Sequence, residues 1–511
     1  MSNEEKLSSE LQPRLAITEP FLEFPRKYGP RAVRFVCGSF PPHRLAASCA
    51  MLVFVFLGLV DCQAYHPQPL TQTAVKKNLA IPTWKQLRMA ATDIYALGLP
   101  PLSLSPRRRL TPDMAAVIAV ILNPLLRVDR DQRGEAAAQV VQAGILPNPR
   151  LSDTTAFVTG GYRTATFTGY GVGLSWDITR LIDRDVRIAA AQYHRGQVDL
   201  EVAWQEWQIA QAARLAVYNL AAREAELHQA RLAQRELAAN ERLAERAYRM
   251  GLSTVLILSA ARAASQQAEA LVESFTQKLR QDRIVLRKTM GLPLAAPIHL
   301  SRRIELPARI ALPPEKVILQ DLPHLRLDLL ALKLGYRSQE ETLRASILRQ
   351  FPRITLGFQQ AGDTTNVHTT GFGVMIDLPI FDRNQGRIAI QKATRQMLFD
   401  TYVAREFSAR WAVVRAYSDI HLLAGQIVAG QEVVHSLVQL VRTYRQALKF
   451  GNADIVSYYM QVNELIHKRI DLIRLKAQLE RNRIALALAA GAYVPELCPG
   501  LARRVVKGKY P

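Results

Sequence analysis

The chain has 511 residues, of which 49% are hydrophobic and 22% charged, and this composition excludes a wholly disordered protein. Its formal net charge of +22 would suit a partner rich in phosphate, but the basic residues are scattered rather than gathered into one block. Four cysteines, Cys37, Cys49, Cys62 and Cys498, show no CxxC spacing, so neither a zinc site nor a disulfide framework is expected.

A mainly apolar run over residues 45–60 indicates the core of a secretory signal. Basic residues precede it, as such signals require: Arg26, Lys27, Arg31, Arg34 and Arg44. The run is short for a membrane-spanning helix, which needs about 20 residues, so an inner-membrane anchor is the second interpretation. Cleavage after Ala64 and lipidation of Cys62 both stay open, because Asp61 stands where bacterial lipoprotein signals have a small residue. We therefore expect export from the cytoplasm.

A repeat with an offset of 200 residues runs through the rest of the chain. The matched positions include Gly171 with Gly371, Asp177 with Asp377, Gly251 with Gly451, and Gly291 with Gly491. Further upstream, Pro124 aligns with Pro323 at an offset of 199. So many agreements in one register predict two copies of one structural unit.

Strand patterns open each copy. Apolar and polar residues alternate over residues 170–178 in the first copy and over residues 354–359 and 371–378 in the second. Residues 150–159 alternate less cleanly and are the expected partner strand of the first copy. The alternation predicts four strands, each with one apolar and one polar face.

Long tracts without proline follow each pair of strands, and helix interiors exclude proline. Gly251 and Gly451 lie near small polar residues, so each tract is predicted to form two antiparallel helices joined by a tight turn. The longer arm, residues 185–250, would measure about 100 Å, and the shorter, residues 254–290, about 55 Å. A further helix over residues 113–143, kinked at Pro124, would stack on the shorter arm and so match the longer one.

A heptad stripe of leucines marks the second copy, at Leu465, Leu472, Leu479 and Leu486. A dimeric coiled coil would have the same spacing, but such a rod has no use for alternating strand pairs at the end of each helical hairpin. Four strands cannot close a barrel, and an apolar outward face needs lipid or another sheet. We therefore expect neighbouring chains to complete an outer-membrane barrel.

Several motifs occur in a fixed order: residues 121–124 (ILNP), 143–149 (AGILPNP), 248–253 (YRMGLS) and 378–386 (LPIFDRNQG). With the repeat, they give the chain a resemblance to the TolC-like outer-membrane efflux proteins, from about Leu110 to Tyr493. The resemblance implies a mainly helical protein with a membrane β-barrel. It implies a homotrimer whose duplicated strand-pair and helical-hairpin units form a 12-stranded β-barrel, continued by a 12-helix α-barrel tunnel into the periplasm.

The resemblance also implies a function and partners. The chain would be the passive outer-membrane channel of a tripartite efflux system, without enzymatic activity, cofactor or bound nucleic acid. Its partners would be outer-membrane lipid, a periplasmic adaptor, and an inner-membrane pump of the resistance-nodulation-division type. The helical tips are the expected docking site for the adaptor: Gly251, Leu252, Ser253, Gly451, Asn452 and Ala453. These residues could also merely turn the chain.

A narrow periplasmic aperture is expected just beyond the second tip, at Asp454, Ser457 and Tyr458. An acidic ring there would favour cations, although one aspartate per subunit gives only a weak ring. Tyr458 could close the aperture or simply pack between helices. Residues 383–386 (RNQG) are similar to the segment of members that export heavy-metal cations, which favours metal export over drug export. No cluster of metal ligands occurs in the sequence, so the chain itself is not expected to bind a metal.

The predicted organisation has six segments: a signal segment (1–64), an N-terminal periplasmic segment (65–109), repeat 1 (110–293), a linker (294–314), repeat 2 (315–494) and a C-terminal tail (495–511). Other classes fit less well. There is no phosphate loop, GxSxG, HExxH or dinucleotide motif to support an enzyme. A type I polypeptide secretion channel remains an alternative. A periplasmic adaptor or structural coiled-coil protein would lack repeated lipid-facing strand pairs.

Overall fold

The structure is a computed structural model that describes residues 65–80, 109–161, 166–301, 304, 306–307 and 311–491. The signal segment, Cys62 and the C-terminal tail therefore lie outside the described residues. The chain divides into a unit of residues 1–75 and a unit of residues 76–511. A short helix, α1 (Gln72–Leu79), contains the boundary, and the other described elements belong to the second unit.

Two series of similar elements make up the second unit. The first series is α2 (Pro112–Leu122), α3 (Pro124–Gly144), β1 (Arg150–Ala156), β2 (Gly169–Asp177), α4 (Thr179–Ile182), α5 (Arg184–Arg249) and α6 (Val255–Met290). The second is α7 (Glu315–Leu325), α8 (Leu327–Leu348), β3 (Arg353–Gly362), β4 (His368–Asp377), α9 (Gln385–Lys449) and α10 (Ile455–Ala490). The ends of the long helices keep the offset of 200 residues, which confirms the duplication.

The four strands form one antiparallel sheet in the order β1-β2-β3-β4. The pair β2–β3 joins the two repeats, with Leu174 opposite Phe358 and Trp176 opposite Leu356. All four predicted strands are present. The first is shorter than predicted, since β1 ends at Ala156 rather than at residue 159.

The long helices α5 and α9 contain 66 and 65 residues, so each measures about 100 Å, as predicted. Both end in the same turn. Gly251 and Gly451 adopt positive φ values of 72° and 73°, which glycine tolerates best. The amide of Leu252 donates to the carbonyl of Ala247 at 2.8 Å, five residues back, which closes a Schellman motif.

The short helices stack end to end beside the long ones. The Nδ2 of Asn123, at the break between α2 and α3, donates to the carbonyl of Thr289 at the end of α6 (3.0 Å). In the second repeat, Arg326 Nη1 donates to the carbonyl of Ala489 at the end of α10 (3.0 Å). Asn123 and Arg326 are therefore equivalent, at an offset of 203.

That equivalence corrects the alignment of Pro124 with Pro323. Pro323 lies inside the last turn of α7, and the second break comes three residues later, at Arg326. Glycines confirm the structural match, because Gly291 lies against Leu122 and Asn123 while Gly491 lies against Arg326. Proline positions misled the alignment because a proline is tolerated near a helix end without being the break itself.

Apolar side chains from α5, α6 and α10 form the larger core, together with α2. A second cluster joins α7, α8, α9 and α10. The heptad leucines serve these cores: Leu465, Leu479 and Leu486 are buried, and Leu472 packs against the second cluster while partly exposed. Within the described residues, no helix has the length and apolar character needed to cross a membrane.

Candidate functional site

The sheet has two chemically different faces. One carries large apolar side chains aligned across the strands: Leu151, Leu174, Leu356, Phe358, Phe372, Val374 and Ile376. The opposite face carries mainly glycine, serine, threonine and glutamine, for example Ser152, Gly173, Gln359 and Gly371. The apolar residues are nonetheless exposed, with Phe372 at 88%. An exposed apolar surface of this kind marks contact with another protein or with lipid.

Both edges of the sheet are open in the single chain. Among the strands that the structure describes, β1 pairs only with β2, and β4 pairs only with β3. Every residue of β1 and β4 is exposed. Such edges present unpaired backbone groups to any further strand, and a membrane sheet must satisfy those groups.

The predicted docking residues lie together at two helical turns. Gly251 and Leu252 are exposed, while Ser253 is half-buried. In the second turn, Gly451 and Asn452 are exposed and Ala453 is half-buried. A Cβ on Gly251 or Gly451 would meet no atom within 4 Å, so space does not require glycine there. The positive φ alone accounts for these two glycines.

The first tip carries exposed apolar residues, of which the sequence analysis named only Leu252 for docking. Met250, Leu252, Val255 and Leu256 are each more than 60% exposed around the turn. The second tip is more polar, with Asn452 in place of Leu252. The sequence did contain a signal for them: apolar residues are adjacent in a turn, where polar residues are usual.

Asp454 is the N-cap of α10 and is exposed. One of its carboxylate oxygens accepts from the Ser457 amide at 2.9 Å and from the Ser457 hydroxyl at 3.0 Å. Hydrogen bonds from the Ser457 and Val456 amides lower the pKa of Asp454 below its ordinary value. The carboxylate is therefore held at its own helix end, and Ser457 is part of the same cap.

Tyr458 is buried, with 4% of its surface exposed, in the core between helices of its own chain. Its hydroxyl accepts from Arg445 Nη2 of α9 at 3.2 Å. Arg445 also forms an ion pair with Glu236 of α5. In the single chain Tyr458 therefore packs between helices, and Arg445 ties three helices together behind the tips.

The helix α9 has an apolar stripe that none of the described residues covers. Ile390, Met397, Val403, Phe407 and Trp411 are each about half or more exposed. The corresponding side of α5 packs against α8, where Ser338 Oγ donates to the carbonyl of Ala190 (2.8 Å). The first two residues of the stripe, Ile390 and Met397, are seven positions apart. The sequence analysis did not single out this stripe.

In the described part of the chain, no group of three or more histidine, cysteine, aspartate or glutamate side chains could hold a metal ion. A cavity of about 380 Å³ lies between α5, α6 and α10 and is lined mainly by charged and polar side chains. It contains no nucleophile paired with a base. The features that remain are surfaces: an apolar sheet face, two open edges, two tips and an uncovered helix stripe.

Part of the sequence matches a known family. Residues 318–492 match the model of the outer membrane efflux protein family. The match covers nearly all of the second repeat, from within α7 to just beyond the end of α10. The structure adds that the first repeat has the same elements in the same order, although the family model does not extend over it.

Solved structures share the fold over most of the chain. CusC, described in a study of folding and transmembrane channel formation, is 20% identical, with a TM-score of 0.63, over 77% of this chain and 97% of CusC. VceC, an outer membrane protein of Vibrio cholerae, is 18% identical, with a TM-score of 0.62, over 75% and 96%. MtrE, an outer membrane channel of Neisseria gonorrhoeae, is 17% identical, with a TM-score of 0.62, over 76% and 94%.

No curated protein matches the chain. At these identities, the solved structures establish the fold: the second unit has the architecture of these outer-membrane channels. The predicted combination of a small antiparallel sheet with long helical hairpins is therefore confirmed.

Proposed function

We propose that this protein is the outer-membrane channel of a tripartite efflux system and acts as a passive conduit. The observation that carries the proposal is the exposed apolar face of an open-edged sheet, placed at the end of long helical hairpins. A sheet of this kind is stable in a bilayer once its edges are paired. The family match over residues 318–492 supports the same function.

Other copies of the chain are the proposed partners that pair the edges. The two repeats suggest how. In the single chain, α8 lies between α5 and α9, whereas its equivalent α3 packs against α5 and has no comparable contact with α9. One side of α8 faces α5. The corresponding side of α3 is exposed and includes Gln132 and Glu135. We propose that α9 of one copy packs on this side of α3 of the next copy.

Charges support that pairing. The free side of α3 is acidic, with Asp131 and Glu135, and exposed Arg387 and Lys392 lie on α9 beside the apolar stripe. Repeating one heterologous contact around a ring closes both the sheet and the helices. We propose a homotrimer, in which three copies of the four-stranded sheet close one barrel and the hairpins continue it as a tunnel through the periplasm.

The two tips are the proposed contact for a periplasmic adaptor, at Gly251, Leu252, Ser253, Gly451, Asn452 and Ala453. The exposed apolar residues of the first tip make it the stronger contact, because burying apolar surface drives protein association. An inner-membrane pump of the resistance-nodulation-division type would supply the energy. Asp454 and Ser457 stay the proposed lining of the periplasmic aperture, and metal cations are the proposed cargo, since residues 383–386 resemble the metal-exporting members.

The function is tested by extracting the protein with detergent and measuring its conductance in planar bilayers. We expect a trimer and stable single-channel currents. A water-soluble monomer without conductance would overturn the proposal.

A matched pair of variants tests the sheet itself. Val374 and Met375 are adjacent in β4, point to opposite faces and are exposed to 63% and 67%. Lysine on a lipid-facing side costs about 2–4 kcal/mol near the middle of the bilayer. We expect Val374→Lys to lower the amount of membrane-inserted channel strongly and Met375→Lys to leave it nearly unchanged. Equal losses would contradict the assignment of the apolar face to lipid.

A further inference from the structure

A cationic groove lies between α5, α6 and α10, about halfway along the helices. Its volume is about 380 Å³, and Ala222 and Ala477 are among its uncharged lining residues. The charged residues that line it are Arg223, Glu226, Lys278, Asp282, Arg474 and Arg481. Four cationic groups thus share the groove with two carboxylates.

The two carboxylates are already used by two of the arginines. Glu226 is 3% exposed and pairs with both Arg223 and Arg474, the latter at 3.1 Å. The Nε of Arg223 lies 3.1 Å from Asp282 Oδ2. Because Glu226 is buried and shared, this network fixes the positions of the arginines and leaves little negative charge for the rest of the groove.

Lys278 and Arg481 have no such partner. Neither forms an ion pair with any carboxylate in the described residues; Arg481 Nη2 lies 3.4 Å from the amide oxygen of Asn219. The Nζ of Lys278 lies 5.7 Å from the centre of the Phe275 ring, and the guanidinium carbons of Arg223 and Arg474 lie 6.0 Å from the same centre. Lys278 thus lies beside the two paired arginines, and the excess of four cations over two carboxylates in the groove favours an anion there.

The other repeat has no such charges. At the offset of 200 residues, the equivalents of the four cationic residues are Leu423, Gln478, Ser274 and Gln281. The packing of long helices in this fold thus proceeds without cations at these positions. The charges are a property of this groove and not a requirement of the architecture.

We propose that the groove binds a soluble oxyanion of the phosphate class. Arginine and lysine together suit the several acceptor oxygens of such an anion. Lipid headgroups are an unsuitable source, because Arg223 lies 39 residues beyond Arg184, the start of α5 next to the sheet, or about 60 Å along the helix. The proposal concerns only the helices and does not depend on the proposed channel function.

The test measures binding of inorganic phosphate to the purified full chain by titration calorimetry, against chloride at equal ionic strength. The test variant Lys278→Gln/Arg481→Gln removes the two unpaired cations. The control variant Arg280→Gln/Lys476→Gln removes two cations from the same helices outside the groove lining. We expect saturable binding that weakens at least about tenfold in the test variant and changes less than about twofold in the control.

Two results would overturn the proposal. One is the absence of saturable phosphate uptake by the unmodified chain. The other is an equal loss in both variants, which would mean that phosphate responds to the overall positive charge of the protein. Circular dichroism of both variants checks that their helices remain folded. Because conductance is not the readout, failure here leaves the proposed channel function standing.

Discussion

Arg326 lies at the break between α7 and α8 and contacts residues of α8, α10 and α5. Its Nε and Nη2 donate to the two carboxylate oxygens of Asp328, each at 2.8 Å. Its third nitrogen bonds the carbonyl of Ala489, and its guanidinium carbon lies 5.1 Å from the ring of Trp204. Both Arg326 and Asp328 are buried, so neither charge has water as a substitute partner.

Loss of Arg326 should therefore be costly. Without Arg326, Asp328 would keep only the more distant Arg405, at 3.8 Å, and breaking a buried ion pair costs about 3–5 kcal/mol. We expect Arg326→Ala to lower the free energy of unfolding by that amount, measured by chemical denaturation in detergent. The control is Arg344→Ala, on the same helix α8 but with a side chain 69% exposed, expected within about 0.5 kcal/mol of the parent. Similar effects of the two changes would refute the structural role of Arg326.

Gly291 and Gly251 illustrate two different reasons why a position requires glycine. Both have positive φ, at 67° and 72°. A Cβ on Gly291 would lie 2.6 Å from the backbone oxygen of Leu122, whereas one on Gly251 would have open space. At either position, an alanine would be destabilised by about 1–2 kcal/mol, because its Cβ is unfavourable in the left-handed backbone conformation. We expect Gly291→Ala to destabilise clearly more than Gly251→Ala in thermal unfolding, and equal midpoints would disprove the close contact between α6 and the α2–α3 break.

At the scale of elements, the helices begin and end through local chemistry. Thr254 caps α6 and Asp454 caps α10, each by a side-chain oxygen that accepts an amide hydrogen three residues on. The Schellman turns that precede these caps close α5 and α9. Each tip is therefore a turn between two well-defined helix ends, which presents its exposed residues at fixed positions.

The cap at Asp454 depends on pH and the cap at Thr254 does not. The pKa of Asp454 is lowered in the folded chain, so its stabilisation is complete above the ordinary value of 3.8 and is lost as the pH falls through the lower folded value. We expect Asp454→Ala to speed amide exchange at the start of α10 near neutral pH, measured by hydrogen-exchange mass spectrometry. The difference from the parent should shrink as the pH is lowered below 3.8.

Thr254→Ala provides the comparison, because a hydroxyl does not titrate in this range. Its effect on exchange at the start of α6 should be the same at both pH values. A pH-independent effect of Asp454→Ala would mean that the carboxylate does not act as a charged cap.

At the scale of the whole molecule, the duplication specifies which surfaces two copies should share. A Cβ at Gly335 on α8 would lie 2.7 Å from Gln197 Oε1 on α5, so these positions touch within one chain. Their equivalents are Gln132 on α3, at the offset of 203, and Met397 on α9, at the offset of 200. In the single chain both are exposed.

Cross-linking tests this arrangement directly. In a cysteine-free background, Gln132→Cys/Met397→Cys should form disulfides between chains and give dimers and trimers on a non-reducing gel. The control Gln132→Cys/Leu440→Cys places the second cysteine 43 residues further along α9, about 65 Å away, and should remain monomeric. The proposed packing of α9 on α3 would be contradicted if only the control formed cross-links. It would also be contradicted if neither variant formed them in membranes.

The sequence by itself determined the repeat, the four strands, the long helices and the turns at Gly251 and Gly451. These features have short-range causes, namely alternation along a strand, exclusion of proline from helices and the positive φ of glycine. The tertiary structure decided the true equivalence of Asn123 with Arg326, the burial of Tyr458, the uncovered stripe on α9 and the convergence of four cations from three helices. Each of these depends on residues far apart in the chain meeting in space, which neither spacing nor composition encodes.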